Sequence, residues 1–307
     1  MTKTLLVVAG PTAVGKTALC VQLAKDLQTA VVSADSRQLY RELTIGTAKP
    51  SPEEMQGVPH YFINSHSITD LVGAGHYERE ALAVLDQLFQ EKEIVILSGG
   101  TGLYINAVCF GLDDMPQVDP AIRQELMQRL EKEGLEPLQQ QLRELDPTYA
   151  QTADLQNTQR VIRALEVGLA AGKPFSSFRR KESDNQQGST RPFRAIFIAL
   201  DRPREELYAR IDHRMNIMLA NGLVDEVRSL TPYRHLNALQ TVGYKEVFDY
   251  LDGTYDEQKM VELLKRNSRR YAKRQLTWFR HQGDYRWFQA DHYQEILDFV
   301  EKSRTES

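Results

Sequence analysis

A short segment near the N-terminus has the residue types and spacing of a phosphate-binding loop. Its sequence, GPTAVGKT at residues 10–17, matches G-x-x-x-x-G-K-[ST] at every fixed position. In such a loop the backbone N–H groups surround an anion, the lysine adds positive charge, and the final hydroxyl can bind Mg²⁺. We therefore predict diphosphate or nucleotide binding, with Mg²⁺ at Thr17. The predicted binding residues are Gly10, Pro11, Thr12, Ala13, Val14, Gly15, Lys16 and Thr17.

Two later segments place polar groups where a buried strand is expected to end. The run VVSADSRQLY has Asp35 just after its apolar part, and EIVILSGGTG ends in a second glycine-rich turn containing Thr101. Asp35 could bind Mg²⁺ through water, accept a proton from a nucleophile, or cap the following helix. Hydrogen-bonding groups on the next three residues favour a functional site. These residues are Ser36, Arg37 and Gln38.

The elements that must position these groups are predicted to form a parallel sheet. Short runs rich in β-branched residues predict strands at 4–9, 30–34, 94–97 and 195–200, with a further strand at 60–63. Helical stretches lie between some of them, as in βαβ units. The fold class is therefore α/β, a P-loop-type parallel sheet flanked by helices. Ligands of such sheets bind at the carboxyl ends of the strands.

A helical block interrupts this alternation. Asp119 and Pro120 begin a helix that stops at Gly134, a second amphipathic helix covers 135–145, and Asn157 caps a third. We predict an inserted all-helical subdomain at 113–191, with a loop at 176–191. The core domain then comprises 1–112 and 192–307. Its C-terminal part is expected to contain two helices separated at 221–222 and a final long helix at 256–281.

Composition excludes several classes of protein. The 307 residues are 41% hydrophobic and 26% charged with net charge −4, which argues against a uniformly basic nucleic-acid binder. The sequence contains neither a secretory signal pattern nor an 18-residue apolar run, so a cytoplasmic protein without membrane association is expected. Cys20 and Cys109 are expected to be buried and inert. The histidines at 60, 66 and 76 lack metal-ligand spacing and are interpreted as ordinary.

Two basic segments are candidates for RNA contact. On the third inserted helix, Gln159, Arg160 and Arg163 project over one face, and arginine there suits phosphate or base-edge recognition. The segment 265–286 carries eight Lys and Arg residues against one acidic residue, Asp284. A charge run is more often a solvated face. Its contrast with the acidic chain favours contact with an RNA backbone.

Eight ordered segments covering nearly the whole chain resemble the conserved blocks of the tRNA dimethylallyltransferase (tRNA isopentenyltransferase) family. They are GPTAVGKT, ADSRQLY, IGTAKP, SGGTGLY, NTQRVIRALEV, GLVDEV, TVGYKE and AKRQLTWFR. Eukaryotic members often carry a C-terminal zinc finger, which this sequence lacks, so the bacterial type is expected. The resemblance implies transfer of a dimethylallyl group from dimethylallyl diphosphate to N6 of adenosine 37, next to the anticodon, with release of diphosphate.

The resemblance also implies that the helical subdomain at 113–191 binds tRNA, and it implies roles for individual residues. Asp35 would accept the N6 proton, Thr101 would place its hydroxyl near the reaction centre, and Arg214 rather than Arg210 would reach the diphosphate. The implied partners are the tRNA anticodon stem-loop and dimethylallyl diphosphate, the cofactor is Mg²⁺, and a monomer is expected. The implied tRNA-binding residues are Asp35, Ser36, Arg37, Gln38, Thr101, Arg123, Gln159, Arg160, Val161, Ile162, Arg163, Gln240, Thr241, Val242, Gly243, Tyr244 and Lys245.

Three alternatives remain open at this stage. An adenylate isopentenyltransferase acting on AMP, ADP or ATP would share the loop and Asp35, but has little use for the helical insertion. A small-molecule P-loop kinase would turn over ATP. A non-catalytic RNA-binding module would not need Asp35 and Thr101 beside a phosphate loop.

Overall fold

The computed structural model describes residues 3–179 and 191–305, and it has an α/β architecture. The strands are β1 Thr4–Ala9, β2 Val31–Ser33, β3 His60–Tyr61, β4 Ile94–Gly99, β5 Arg194–Asp201 and β6 Arg286–Gln289. The helices are α1 Lys16–Asp26, α2 Pro52–Met55, α3 Ala74–Glu91, α4 Gly102–Phe110, α5 Pro120–Glu133, α6 Glu136–Leu145, α7 Pro147–Thr152, α8 Thr158–Ala171, α9 Arg204–Ala220, α10 Leu223–Ser229, α11 Tyr244–Leu251, α12 Glu257–His281 and α13 Tyr293–Thr305. Single 3-10 turns occur at Phe175–Phe178, Thr231–Tyr233 and Asn237–Leu239.

The six strands form one parallel sheet in the order β3-β2-β4-β1-β5-β6. Strand β1 lies in the middle, paired in parallel with both β4 and β5. Alternate residues of β1 enter different clusters: Leu5 and Val7 pack with α3 and α4 on one face, whereas Leu6 and Val8 pack with α1 and α9 on the other. Helices therefore cover both faces, as a buried parallel sheet requires.

The structure confirms the predicted α/β class and corrects details of its elements. The predicted strand at 4–9 is observed unchanged, and the other four differ at their ends by one to two residues. Strand β6 was not predicted, because four residues following a charged helix give too little periodicity. The helix at 256–281 is observed, with Asp256 as its cap, but it is not the last one, since α13 follows. Of the loop predicted at 176–191, residues 180–190 lie outside the described residues.

The chain divides into two compact units. Unit 1 comprises Met1–Phe110 with Arg191–Ser307, and unit 2 comprises Gly111–Thr190. The boundaries predicted from sequence were 112/113 and 191/192. No helix within the described ranges is both long and apolar enough to cross a membrane. Cys20 and Cys109 are buried, and burial raises their thiol pKa values to about 11 and about 12.

Unit 2 is a helical unit with its own core. Asp119 accepts a hydrogen bond from the Ala121 amide at the start of α5, and Asn157 accepts one from Arg160 at the start of α8. Both caps were predicted from the sequence. The apolar sides of α5, α6 and α8 meet at a cluster of buried leucine, valine and isoleucine side chains. The core is therefore built mainly from the amphipathic faces of these helices, and Phe175 of the following 3-10 turn completes it.

Candidate active site

Three polar turns meet at one edge of the sheet. Ala9 of β1 lies opposite Gly99 of β4, and Ser33 of β2 lies opposite Ser98 of β4. Since the strands are parallel and in register, the phosphate loop after β1, Asp35 after β2 and the turn after β4 all emerge at their carboxyl ends. The prediction that these segments converge is confirmed.

The phosphate loop has the backbone shape that an anion-binding nest requires. Gly15 has φ of 117°, a conformation that favours glycine, and it immediately precedes the first turn of α1. The Lys16 ammonium donates hydrogen bonds to the carbonyl oxygens of Gly10 and Pro11, at 2.9 and 2.8 Å. Burial lowers the pKa of Lys16 to about 8, against the opposing effect of Asp35. The positive charge is therefore costly here without an anion.

Three arginines surround the loop from the side of β5 and α9. Arg202 donates to the carbonyl of Val14 at 2.8 Å, Arg210 donates to that of Ala13 at 2.9 Å, and Arg214 donates to the Thr12 hydroxyl. Desolvation lowers the pKa of Arg214, while Asp35 opposes that shift. Arg214 is the more buried of the two α9 arginines, and its choice over Arg210 for contact with the diphosphate stays a prediction. Arg202 was missed, because a single arginine after a strand has no distinctive pattern.

Asp35 has one carboxylate oxygen engaged by the backbone. Its Oδ1 accepts hydrogen bonds from the amides of Arg37 and Gln38, at 2.9 and 3.2 Å. Within the described part of the chain, Oδ2 accepts no hydrogen bond. The capping alternative is thus present in the structure, but it uses only one oxygen. The second oxygen stays available to a ligand.

Thr101 and Gln38 act on the backbone around Asp35. The Thr101 hydroxyl accepts a hydrogen bond from the Ser36 amide at 3.0 Å, so it links the two turns. The Gln38 amide donates to the carbonyls of Thr47 and Ala48, at 3.1 and 3.2 Å. Both side chains therefore position neighbouring segments, and their contacts with a substrate stay predictions.

Two cavities meet at Asp35. The larger, about 510 Å³, is lined by Lys16, Thr17, Asp35 and one face of α9 that includes His213 and Arg214. The smaller, about 80 Å³, is bordered by residues shared with the first and by Arg37 and the segment 241–243. Asp35, Thr12, Thr47, Arg214 and Tyr271 line both. A ligand in each cavity would therefore approach the same carboxylate.

Gln275 of α12 connects the two glycine-rich turns, and sequence reasoning missed it. Its Oε1 accepts a hydrogen bond from the Thr12 amide at 2.9 Å, and its Nε2 donates to the Gly100 carbonyl at 3.0 Å. A Cβ atom at Gly100 would lie 2.2 Å from that nitrogen, so any other residue there would displace the Gln275 amide. The one available signal was that this polar residue occupies a buried position of an amphipathic helix.

The segment 240–245 is partly corrected by the structure. Tyr244 is fully buried, and its hydroxyl donates to Glu226 at 2.7 Å, so the predicted side-chain contact with RNA is wrong. Glu226 also accepts hydrogen bonds from the amides of Thr44, Ile45 and Gly46. Gln240 and Lys245 are exposed, Thr241 and Val242 are half-buried, and Gly243 borders the smaller cavity.

Unit 2 brings four of the predicted RNA-binding residues to one surface. Arg123 and Arg163 each bind the buried carboxylate of Glu166 at 2.7 Å, and Arg123 also donates to Gln159 at 2.9 Å. Arg160 is exposed on the same helix. The side chains of Val161 and Ile162 are buried in the unit 2 core, which leaves only their backbone for the predicted tRNA contact. Glu166 was missed because an acid rarely indicates an RNA-binding surface.

Comparison with known proteins identifies the family. A family model described as IPP transferase matches residues 38–282. The chain belongs to the IPP transferase family. A tRNA dimethylallyltransferase of Cytophaga hutchinsonii is 53% identical over 299 residues, covering 97% of each chain. The family model starts after the phosphate loop, whereas this relative spans almost the whole chain.

Solved structures of IPP transferase relatives have the same fold. The tRNA isopentenylpyrophosphate transferase of Bacillus halodurans is 37% identical, with a TM-score of 0.72 and 99% coverage of both chains. A eukaryotic dimethylallyltransferase acting on tRNA is 27% identical, with a TM-score of 0.77, covering 98% of this chain and 80% of the other. The family resemblance inferred from sequence is therefore confirmed.

Proposed function

We propose that this protein transfers a dimethylallyl group from dimethylallyl diphosphate to N6 of adenosine 37 in tRNA, releasing diphosphate. The observation that carries the proposal is Asp35, whose carboxylate borders both the phosphate-loop cavity and the smaller cavity beside it. Similarity to tRNA dimethylallyltransferases supports the choice of substrates. The proposal includes a monomer in the cytoplasm, and residues of a single chain line both cavities.

The donor's diphosphate would bind the phosphate loop. Lys16 and Arg214 supply positive charge, and the loop amides supply hydrogen-bond donors to oxygens that gain charge as the C–O bond breaks. The pKa of both side chains is lowered by burial, so an anion that restores their charge balance is favoured there. Apolar surface for the dimethylallyl chain lies in the same cavity, at Ile63 and Ile217.

The acceptor adenine would approach Asp35 through the smaller cavity. As N6 forms its bond to the prenyl carbon, the carbon–oxygen bond to diphosphate breaks and N6 loses a proton. Asp35 Oδ2 is the acceptor for that proton, while Oδ1 stays bonded to the backbone and fixes the carboxylate. An adenosine within an RNA loop must leave its stack to reach such a position.

The residues at the loop fit a magnesium ion of the kind that binds with phosphates. Thr17 lines the cavity and donates no hydrogen bond within the described residues, and Asp35 lies on the same cavity. Oxygen ligands of this type suit Mg²⁺, which usually takes one or two protein groups together with phosphate oxygens and water. When bound, the ion would neutralise part of the diphosphate charge.

Contacts with the rest of the tRNA are proposed for two exposed basic surfaces. One is the Arg123, Gln159, Arg160 and Arg163 surface of unit 2. The other is the solvent-facing side of α12, which carries Arg270, Lys273 and Arg274. Guanidinium groups half-exposed around a buried acid keep a fixed orientation and still have N–H groups to donate to phosphate or base edges.

The test is a product analysis with three acceptors. The full-length chain is incubated with Mg²⁺, dimethylallyl diphosphate and either an unmodified tRNA containing A36-A37-A38, the same tRNA with A37 replaced by G, or AMP. Mass spectrometry of the digests should find N6-dimethylallyladenosine only from the first. Product from AMP alone would establish the adenylate-type reaction instead. ATP hydrolysis without any prenylated product would establish a kinase.

A further inference from the structure

Two histidines and a glutamate in unit 1 come together away from the phosphate loop. His66 Nε2 lies 3.1 Å from Glu80 Oε2, and His76 Nε2 lies 3.0 Å from Glu80 Oε1. The three ligand atoms lie within 4.8 Å of one another. None of these residues lines either cavity at Asp35. The group is called the His66 cluster below.

The cluster is assembled from two elements that hold its members in place. His76 and Glu80 are one helical turn apart near the start of α3, so both side chains project from the same face. His66 comes from the preceding loop, where its amide donates to the Leu39 carbonyl and its carbonyl accepts from the Arg41 amide. The backbone therefore fixes the third side chain opposite the helical pair.

Hydrogen bonding around His66 favours a metal on its Nε2 atom. Its Nδ1 lies 2.8 Å from the Ser65 hydroxyl. When a metal binds Nε2, Nδ1 carries the ring proton and donates a hydrogen bond to that hydroxyl, which fixes the orientation of the ring. Glu80 Oε2 is shielded from solvent and makes no hydrogen bond of ordinary geometry among the described residues, although it lies beside His66. A buried carboxylate oxygen of this kind needs a positive partner.

Distances and exposure fit a divalent transition metal. Tetrahedral zinc with Zn–N bonds of about 2.0–2.1 Å places its ligand atoms roughly 3.3 Å apart. The two histidine–glutamate distances go to different oxygens of Glu80, and one ligand atom from each of the three residues lies within 4.8 Å of the others, so small side-chain movements bring them to that spacing around one ion. The His66 side chain is 12% exposed, whereas those of His76 and Glu80 are 42% and 40% exposed. An ion can therefore approach from solvent and keep water as a fourth ligand.

We propose that His66, His76 and Glu80 form a binding site for a zinc-class divalent metal ion. Imidazole nitrogens favour Zn²⁺ over Mg²⁺ or Ca²⁺, which prefer sets of oxygen ligands. The bound ion fastens the 64–67 loop to α3. Through the backbone bonds of His66 it also braces Leu39 and Arg41, which follow directly after the Asp35–Gln38 turn.

The experiment measures zinc affinity of the full-length chain after chelator treatment, by competition with a fluorescent zinc chelator in excess Mg²⁺. The native protein should bind one ion that the His66→Gln and His76→Gln variants hold about 100-fold more weakly or not at all. Ser65→Ala should weaken binding about tenfold, because only the orientation of the ring is affected. Cobalt substitution should produce the visible absorption of a four-coordinate site in the native chain alone.

The matched control is another histidine–glutamate pair on the surface. His292 lies 3.1 Å from Glu295, and among the described residues this pair has no third ligand, so His292→Gln should leave zinc affinity unchanged. Circular dichroism and binding of dimethylallyl diphosphate without zinc should be the same in all variants, which separates loss of the site from misfolding. Equal zinc affinity in the native and His66→Gln proteins, or no zinc binding by the native chain, would overturn the proposal.

Discussion

Two clusters of basic side chains, one in each unit, hold their positive charge in different ways. In unit 1, Lys16 and Arg214 donate to carbonyl and hydroxyl oxygens of the phosphate loop. In unit 2, Arg123 and Arg163 share the buried carboxylate of Glu166. In the first cluster, burial lowers the pKa of both side chains, and the oxygens they bond are neutral. In the second cluster, the Glu166 carboxylate already neutralises part of the arginine charge.

Because their charges are held differently, we expect the two clusters to have different roles in the reaction. Desolvated charge that is bonded to neutral oxygens binds a small, highly charged group strongly, and its effect on a developing charge is large. Half-exposed arginines around an acid contribute less per contact, since water and salt screen them. We therefore expect substitutions in unit 1 to reduce the rate of transfer, and substitutions in unit 2 to reduce the affinity for tRNA.

The largest effect is expected for Asp35→Asn. The amide keeps an oxygen for the Arg37 and Gln38 N–H groups, so the turn should stay intact while the proton acceptor is lost. The transfer rate should fall about 10²–10⁴-fold, with affinity for dimethylallyl diphosphate within a few-fold of native. Asp256→Asn is a suitable control, because that residue also accepts a backbone hydrogen bond but lines neither cavity. A rate within threefold of native would rule out the proposed role.

Lys16→Met is expected to weaken donor binding and transfer together, by about 10²–10³-fold in kcat/KM, because it removes charge from the diphosphate site. Lys25→Met on the same helix is the matched control, since Lys25 is exposed and its ammonium donates to Gln56 at the surface. Steady-state kinetics with varied donor give the measurement. If the two variants behave alike, the phosphate loop does not hold the diphosphate.

A smaller effect is expected from pH. Free Lys16 loses its proton as the pH rises through about 8, so donor affinity should fall above that value by up to about tenfold per pH unit. Because the unfolded chain keeps that proton to higher pH, this group also makes the unliganded fold more stable as pH rises above 8. Calorimetric titration of the donor between about pH 7 and 10 measures the change in affinity. Lys16→Arg should remove the fall in donor affinity above about pH 8.

The smallest effect is expected from unit 2. The double variant Arg123→Gln with Arg163→Gln should raise the KM for tRNA about three- to tenfold and leave kcat nearly unchanged, with a shallower dependence on salt. Arg129→Gln on α5 is the control, because Arg129 pairs with Glu133 and Gln141 instead. Unchanged KM and salt dependence would place tRNA recognition elsewhere.

The sequence predicted the phosphate loop, Asp35 and most strands because each depends on neighbouring residues. The loop pattern, helix caps and β-branched runs are local signals with known geometry. Gln275, Glu226 and Glu166 could not be predicted in the same way, since each acts on residues far away in the chain. In two of the family-like segments, burial separates Val161, Ile162 and Tyr244 from their exposed neighbours, and resemblance of a whole segment cannot make that distinction.

The proposed metal site at the His66 cluster also depends on residues that are separated in the sequence. His66 and His76 are ten residues apart and were interpreted as ordinary histidines, because ligand spacing is recognisable only when a helix or turn repeats it. The sheet places the 64–67 loop against α3, and only that contact brings His66 to Glu80.

The most direct test of this division of work is a single-turnover measurement of dimethylallyl transfer at saturating donor and increasing tRNA. The native chain is compared with Asp35→Asn and with the Arg123, Arg163 double variant. The proposed roles predict that saturating tRNA restores the native rate in the double variant but not in Asp35→Asn. Recovery of the Asp35→Asn rate at high tRNA, or a double variant that stays slow there, would contradict them.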